Sequence, residues 1–334
     1  MSDNSSATQF VRNAISSPRA GLTWGLIGVV AFSFTVPFTR VALGGLSPLF
    51  IGSGRAVIAA LLAVAALALT RQRFPRGIQW ARLAVVAGGI VVGFPLLTSY
   101  ALTTTPASHA AVVIALLPAA TAVLVVIRGR ERPPVAFWVM AIIGAVVAVV
   151  FASLQSGGFG HLTLSDLLLF GAVVAAAIGY AEGGLLAREL GAWQTVSWTL
   201  VVAAPLMIVL AAVAWVQQPP TGTPIEWAAF GYLGVVSMFL GFFAWYRGLA
   251  IGPMAQVSQV QLVQPVLSIL WAALLLGEEL TWATILGGVA VVLCAGIAVR
   301  TRLNRSTVTP PTRASDAASD PAPDTALSPT RQTN

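Results

Sequence analysis

The sequence contains no lysine: all 18 of its basic residues are arginine. A retinal or pyridoxal Schiff base needs a lysine amine, and a Walker A loop needs its Gly-Lys-Ser/Thr, so both chemistries are excluded. Cysteine is nearly absent too, Cys294 standing alone, and histidine is limited to His109 and His161. Neither a disulfide framework nor a Cys/His metal cluster can be assembled from this set, and no cofactor or metal is expected. Charge of either sign is scarce, at 9% of 334 residues, where soluble domains carry about 25%. Because a water-soluble core needs a charged surface about that large, a soluble enzyme is excluded.

What the chain has instead is apolar residue: 57% of the sequence, with a mean hydropathy of +0.87. It is grouped into ten runs, near 22–43, 47–69, 80–102, 106–127, 135–152, 165–186, 193–215, 227–249, 253–276 and 281–299. Each approaches the roughly 20 residues that cross about 30 Å of hydrocarbon as a helix. The fold class predicted is all-α integral membrane. Residues 1–20 are polar, with no apolar stretch and cleavage site ahead of the first run, and read as a tail rather than a cleaved signal peptide. Residues 303–334, rich in Pro, Ser, Thr, Ala and Asp, read as a disordered tail.

The net charge of +7 and pI near 10.9 would suggest nucleic acid in a soluble protein. Here the arginines flank apolar runs, so membrane topology accounts for them and no nucleic-acid partner is expected. Arg12 and Arg19, Arg71, Arg73 and Arg76, Arg128, Arg130 and Arg132, Arg188, and Arg300, Arg302 and Arg305 fall on one set of ends and loops. The alternate loops carry none. By the positive-inside rule both termini are expected in the cytoplasm, which requires an even number of spans and agrees with ten.

The sequence also repeats. A shift of 147 residues aligns Leu102 with Leu249, Pro106 with Pro253, Pro118 with Pro265 and Glu131 with Glu278 without a gap. Each copy reads as a helix, a short Pro-containing turn, a helix broken by a central proline, and a Glu. Five helices per half is an odd number, so the second half is expected upside down in the bilayer: two inverted five-helix repeats, 21–152 and 165–300, as in secondary transporters.

Several of these residues carry a resemblance. Ser47-Pro48 leading to Arg55, the GLAIGP turn at 248–253, QPVLSILWAALLLGEELT at 264–281 and the closing LGGVAVVLCAGIAV are similar to the EamA family of the drug/metabolite transporter superfamily. The resemblance covers roughly residues 22–300. It implies a ten-helix, two-repeat permease of the bacterial inner membrane, whose relatives mostly export amino acids, metabolites or toxic organic compounds. One departure stands out: opposite Gly277-Glu278-Glu279, the first half has Arg130-Glu131-Arg132 and then Pro133-Pro134, which bears on the placement of the fifth helix.

Ionisable groups inside apolar runs are the candidates for chemistry. Arg55, about eight residues into the second helix, is either an anchor for a substrate carboxylate or a structural arginine that hydrogen-bonds helix ends. Glu182 is either a proton-coupling carboxylate or a snorkelling partner of Arg188. The ninth run holds Gln256, Gln259, Gln261 and Gln264; at 100° per residue the first pair lies about 140° from the second, so one face is expected in a cavity and the other between helices. Pro118 and Pro265 are hinge candidates, and a carbonyl freed near Gln261 suits a substrate site. Tyr100, Tyr180, Trp24 and Phe34 are either cavity walls or plain packing. His109 reads as a neutral, hydrogen-bonded histidine. The spacings Gly89 to Gly93 and Gly179 to Gly183 permit close helix contact.

The function expected is therefore a transporter of a small organic molecule, amino-acid-like or amphipathic, moved outward by alternating access. Its expected partners are that molecule and membrane lipid, with a homodimer left open. The alternatives are an integral membrane enzyme, which would need clustered aspartates for Mg²⁺ where Asp166 stands alone between the tails, and a passive channel, which would need rings of charge or a filter.

Overall fold

A computed structural model describes residues 18–129, 134–155, 162–251, 257 and 260–306. All regular structure among them is helical. Segment 1 is α1 (Pro18–Ser33) and α2 (Thr35–Ala42); segment 2 is α3 (Pro48–Thr70). Segment 3 runs α4 (Gln79–Val86), a π-helical stretch (Ala87–Gly93) and α5 (Phe94–Ala101). Segment 4 is α6 (Ala107–Ile114) and α7 (Leu117–Gly129), and segment 5 is α8 (Val135–Gln155). Segments 6 and 7 are α9 (Leu164–Leu190) and α10 (Ala192–Gln217). Segment 8 runs α11 (Pro224–Tyr232), a second π-helical stretch (Leu233–Gly241) and α12 (Phe242–Ile251); segment 9 is represented by α13 (Val263–Leu276) and segment 10 by α14 (Trp282–Ser306). Segments 1 to 8 each contain a helix long and apolar enough to cross a membrane, and 263–276 and 282–297 are shorter apolar helices. The last helix continues to Ser306, past the point at which the sequence reads as tail. Gln256, Gln259, Pro253, Glu131, His161 and the Arg130 to Pro133 departure lie outside the described residues, as does most of both tails.

The helix starts follow local chemistry. Ser47 accepts a hydrogen bond from the amide of Phe50 (3.2 Å), with Pro48 in the first turn where its missing N–H costs nothing. Thr163 with Asp166, and Thr223 with Glu226, form capping boxes at α9 and α11. The interruptions have causes as well. Pro37 removes the donor that would bond the carbonyl of Ser33, and α1 ends there; Ser268 Oγ, from α13, donates to that freed carbonyl at 2.8 Å.

Two features recur at the repeat interval. Segment 4 breaks at Ala115 and Leu116, just ahead of Pro118, and α13 begins after a turn at Gln261 and Leu262, just ahead of Pro265. The π-helical stretch of segment 3, moved forward by 147 residues, falls inside that of segment 8. Packing is crosswise: segment 2 lies along segment 7, 5 along 10, 4 against 9, 1 against 8 and 3 against 6. Exchanging the halves maps this set of pairings onto itself. Glycine allows the closest crossings. A methyl on Gly179 would meet Ile90 Cγ2 at 2.5 Å, and one on Gly89 would meet the carbonyl oxygen of Ala175 at 2.4 Å, so segments 3 and 6 touch backbone to backbone, as the glycine spacing predicts.

Candidate functional site

Where the interrupted helices meet, two small cavities adjoin at Val36 and Gln264. The first, about 10 Å³, is closed by residues flanking both breaks, among them Leu117, Pro118, Gln261, Pro265 and Ser268. The second, about 20 Å³, draws on six segments: Phe32 and Thr35 from segment 1, Arg55 from 2, Phe94 from 3, Tyr180 from 6, Ser237 and Phe242 from 8, and Gln264 from α13. Both π-helical stretches contribute to its wall, through Ile90 and through Ser237 and Met238. Such stretches carry an extra residue per turn and re-aim side chains, and they concentrate at functional sites. Together the cavities hold about one or two water molecules, so this conformation is shut around the site.

The polar groups at this junction are buried. Arg55 is 1% exposed, and neither Nε nor Nη2 has a hydrogen-bond partner among the described residues. Gln261 and Gln264 are buried, and Gln261 Nε2 likewise has no partner among the described residues. Thr35 and Ser237 share a 2.7 Å hydroxyl hydrogen bond across segments 1 and 8. Trp271 Nε1 donates to Ser33 Oγ at 3.0 Å. Apolar surface faces these groups: Phe242 lies 4.7 Å from Phe32 and 5.9 Å from Tyr180, centroid to centroid. Around the two cavities, Arg55 is the one charged side chain among the described residues.

The structure thus gathers Arg55, Tyr180, Gln261, Gln264, Pro118 and Pro265, and places the other candidates elsewhere. Trp24 lies under the guanidinium of Arg247, 5.1 Å from the ring centroid, in a cation–π contact. Tyr100 is exposed. Phe34 stacks on Trp271 at 4.5 Å. The carboxylate of Glu182 is ion-paired with Arg82, which also holds Glu189 at 2.6 Å; Arg82 and Glu182 line a lateral cavity of about 450 Å³ between segments 3, 4 and 6. His109 is buried and hydrogen-bonded through Nε2 to Asp166 at 2.8 Å.

Sequence reasoning passed over several participants. Arg82 sits three residues into segment 3, where an arginine reads as one more basic flank. The Thr35–Ser237 and Ser33–Ser268 contacts join residues with no common motif, though Pro37, four residues after Ser33, marks the carbonyl that needs a donor. Glu278 was legible only as the end of a repeat. Its carboxylate accepts from the amides of Ala107 (2.7 Å) and Ser108 (2.8 Å), so the end of α13 caps the start of α6.

The chain is similar to known proteins along most of its length. The chain is 42% identical over 284 residues, 83% of its own length and 96% of the relative's, to a Bacillus subtilis (strain 168) protein named "Uncharacterized transporter YdeK". It is 27% identical over 292 residues, covering 85% of the chain and 94% of the relative, to a Streptantibioticus cattleyicolor protein named "Probable terminal-alkyne amino-acid exporter". A crystal structure at 21% identity superposes with a TM-score of 0.61 over 87% of this chain and all of the other, a likeness of fold. The family model of the EamA-like transporters matches twice, over residues 19–154 and 163–300, and the chain is a member of the EamA-like transporter family, a multi-pass membrane transporter and not an enzyme.

Proposed function

We propose that this transporter exports a small organic metabolite, amino-acid-like or amphipathic, from a bacterial cytoplasm by alternating access. The observation that carries the reading is the site itself: two helix interruptions, one from each half, meet at one of two adjoining shut cavities, which share Gln264 and the second of which is lined by Arg55. Discontinuous helices at a repeat interface are where secondary transporters hold substrate. In this reading all ten segments cross the inner membrane, the two halves have opposite orientations, and both termini face the cytoplasm, in keeping with the one-sided arginine loops. The exporter named among the relatives supports the outward direction and a substrate of amino-acid type.

The shut cavity fits an occluded intermediate, and its opening toward either face would follow from movement of one half against the other. The experiment is mass-spectrometric efflux from proteoliposomes loaded with amino acids, metabolites and amphipathic drugs, with and without an imposed pH gradient. Compounds leaving faster than from protein-free liposomes are the expected result, and folded protein that moves none of the panel would refute the reading. Acceleration by the gradient would point to proton coupling, with Glu182 the first carboxylate to replace.

A further inference from the structure

We propose that Arg55 is the receptor for a carboxylate, so that the substrate is a small molecule with a free carboxylate group and an apolar body; this rests on the transporter reading above. An arginine that held helix ends together would show its guanidinium bonded to carbonyl oxygens. Arg55 instead leaves Nε and Nη2 without a partner among the described residues while being 1% exposed at the wall of the cavity. An ion withdrawn from water carries a penalty of several kcal/mol unless an opposite charge meets it, and among the described cavity residues no acid does so.

The two free nitrogens are not an arbitrary pair. Nε and Nη2 form one edge of the planar guanidinium, with N–H bonds that run parallel, which is the fork that accepts both oxygens of a carboxylate. Phe32, Phe94, Phe242 and Met238 line the same cavity and supply the surface for an apolar body. Gln264, shared by the two cavities, and the Thr35–Ser237 hydroxyl pair offer acceptors for an ammonium group if the ligand carries one. Zwitterions and plain carboxylate anions share the chemistry that Arg55 reads.

The test uses full-length protein in liposomes loaded with L-phenylalanine, 3-phenylpropanoate, phenylalanine methyl ester and phenethylamine, with efflux corrected for protein-free leakage. Wild type is expected to move at least one of the two carboxylates about tenfold or more faster than the ester and the amine, a ratio worth about 1.4 kcal/mol. Phenylalanine alone identifies a zwitterion site, phenylpropanoate alone an anion site. Arg55→Gln is expected to lose the preference and Arg55→Lys to keep part of it, each checked for folding by size-exclusion profile and thermal unfolding. Should Arg55→Gln fail to fold, the comparison of acid with ester in wild type decides. Ester or amine leaving as fast as the acids, or full carboxylate transport by folded Arg55→Gln, overturns the assignment and leaves transport standing. Folded wild type that moves neither these four compounds nor any of the broader panel overturns both.

Discussion

At the scale of single residues, the charges that matter are few and each has a distinct environment. Glu278 places both carboxylate oxygens on consecutive amides at the start of α6, where the helix dipole favours negative charge. We expect Glu278→Gln to lower stability by about 1–2 kcal/mol, read as a fall in thermal midpoint in detergent, with the exposed neighbour change Glu279→Gln leaving it unmoved. Equal effects of the two would show that the cap contributes nothing. Arg82 works differently: it ties segment 3 to segment 6 through Glu182 and Glu189, away from the central cavities. Arg55 alone is buried at the cavity wall with a free edge. Depth separates these cases, and depth is what a linear sequence conveys only by counting from the ends of an apolar run.

At the scale of the element, helix interruptions and glycine contacts set the shape. Pro118 and Pro265 are legible as helix breakers, and the structure has its turns just ahead of each. The π-helical stretches were not legible, because Ala87–Gly93 and Leu233–Gly241 read as ordinary apolar helix. Similarly, Gly183 and Gly184 are equivalent in the sequence and different in the fold. A methyl on Gly183 would sit 2.2 Å from Tyr246 Oη and 2.9 Å from Cζ, whereas one on Gly184 meets nothing within 4 Å. Gly183→Ala is therefore expected to destabilise by about 1–3 kcal/mol through overpacking, and Gly184→Ala to be neutral or slightly stabilising. Detergent melting curves for the two variants would settle the ordering. Gln261 and Gln264 were recognisable from composition, but that Gln264 shares a cavity with Arg55 depends on the packing of six segments.

For the whole molecule, the crosswise pairing of halves makes a prediction that uses the single cysteine. Cys294 in α14 has its Cβ 3.2 Å from where a Cβ on Gly144 in α8 would stand, close to the separation that a disulfide spans. Gly144→Cys is expected to cross-link to Cys294 under mild oxidation, seen as loss of both free thiols. Because the link joins one half to the other, whose relative movement opens the site, efflux is expected to slow after cross-linking and to recover on reduction. Absence of the link would mean that segments 5 and 10 do not pack as described.

The same pairing bears on how the chain is made. Segment 2 finds its main partner in segment 7, and segment 1 in segment 8, so the first half enters the membrane before its partners exist. The face that segment 2 later buries includes Ala56, Ala59, Ala60 and Ala63, which join a core with Val196, Leu200, Ala203 and Met207 of α10. Small apolar side chains sit as comfortably against lipid tails as against another helix. That alanine face can therefore wait in the bilayer at little cost, and the interior around it closes only when the second half arrives.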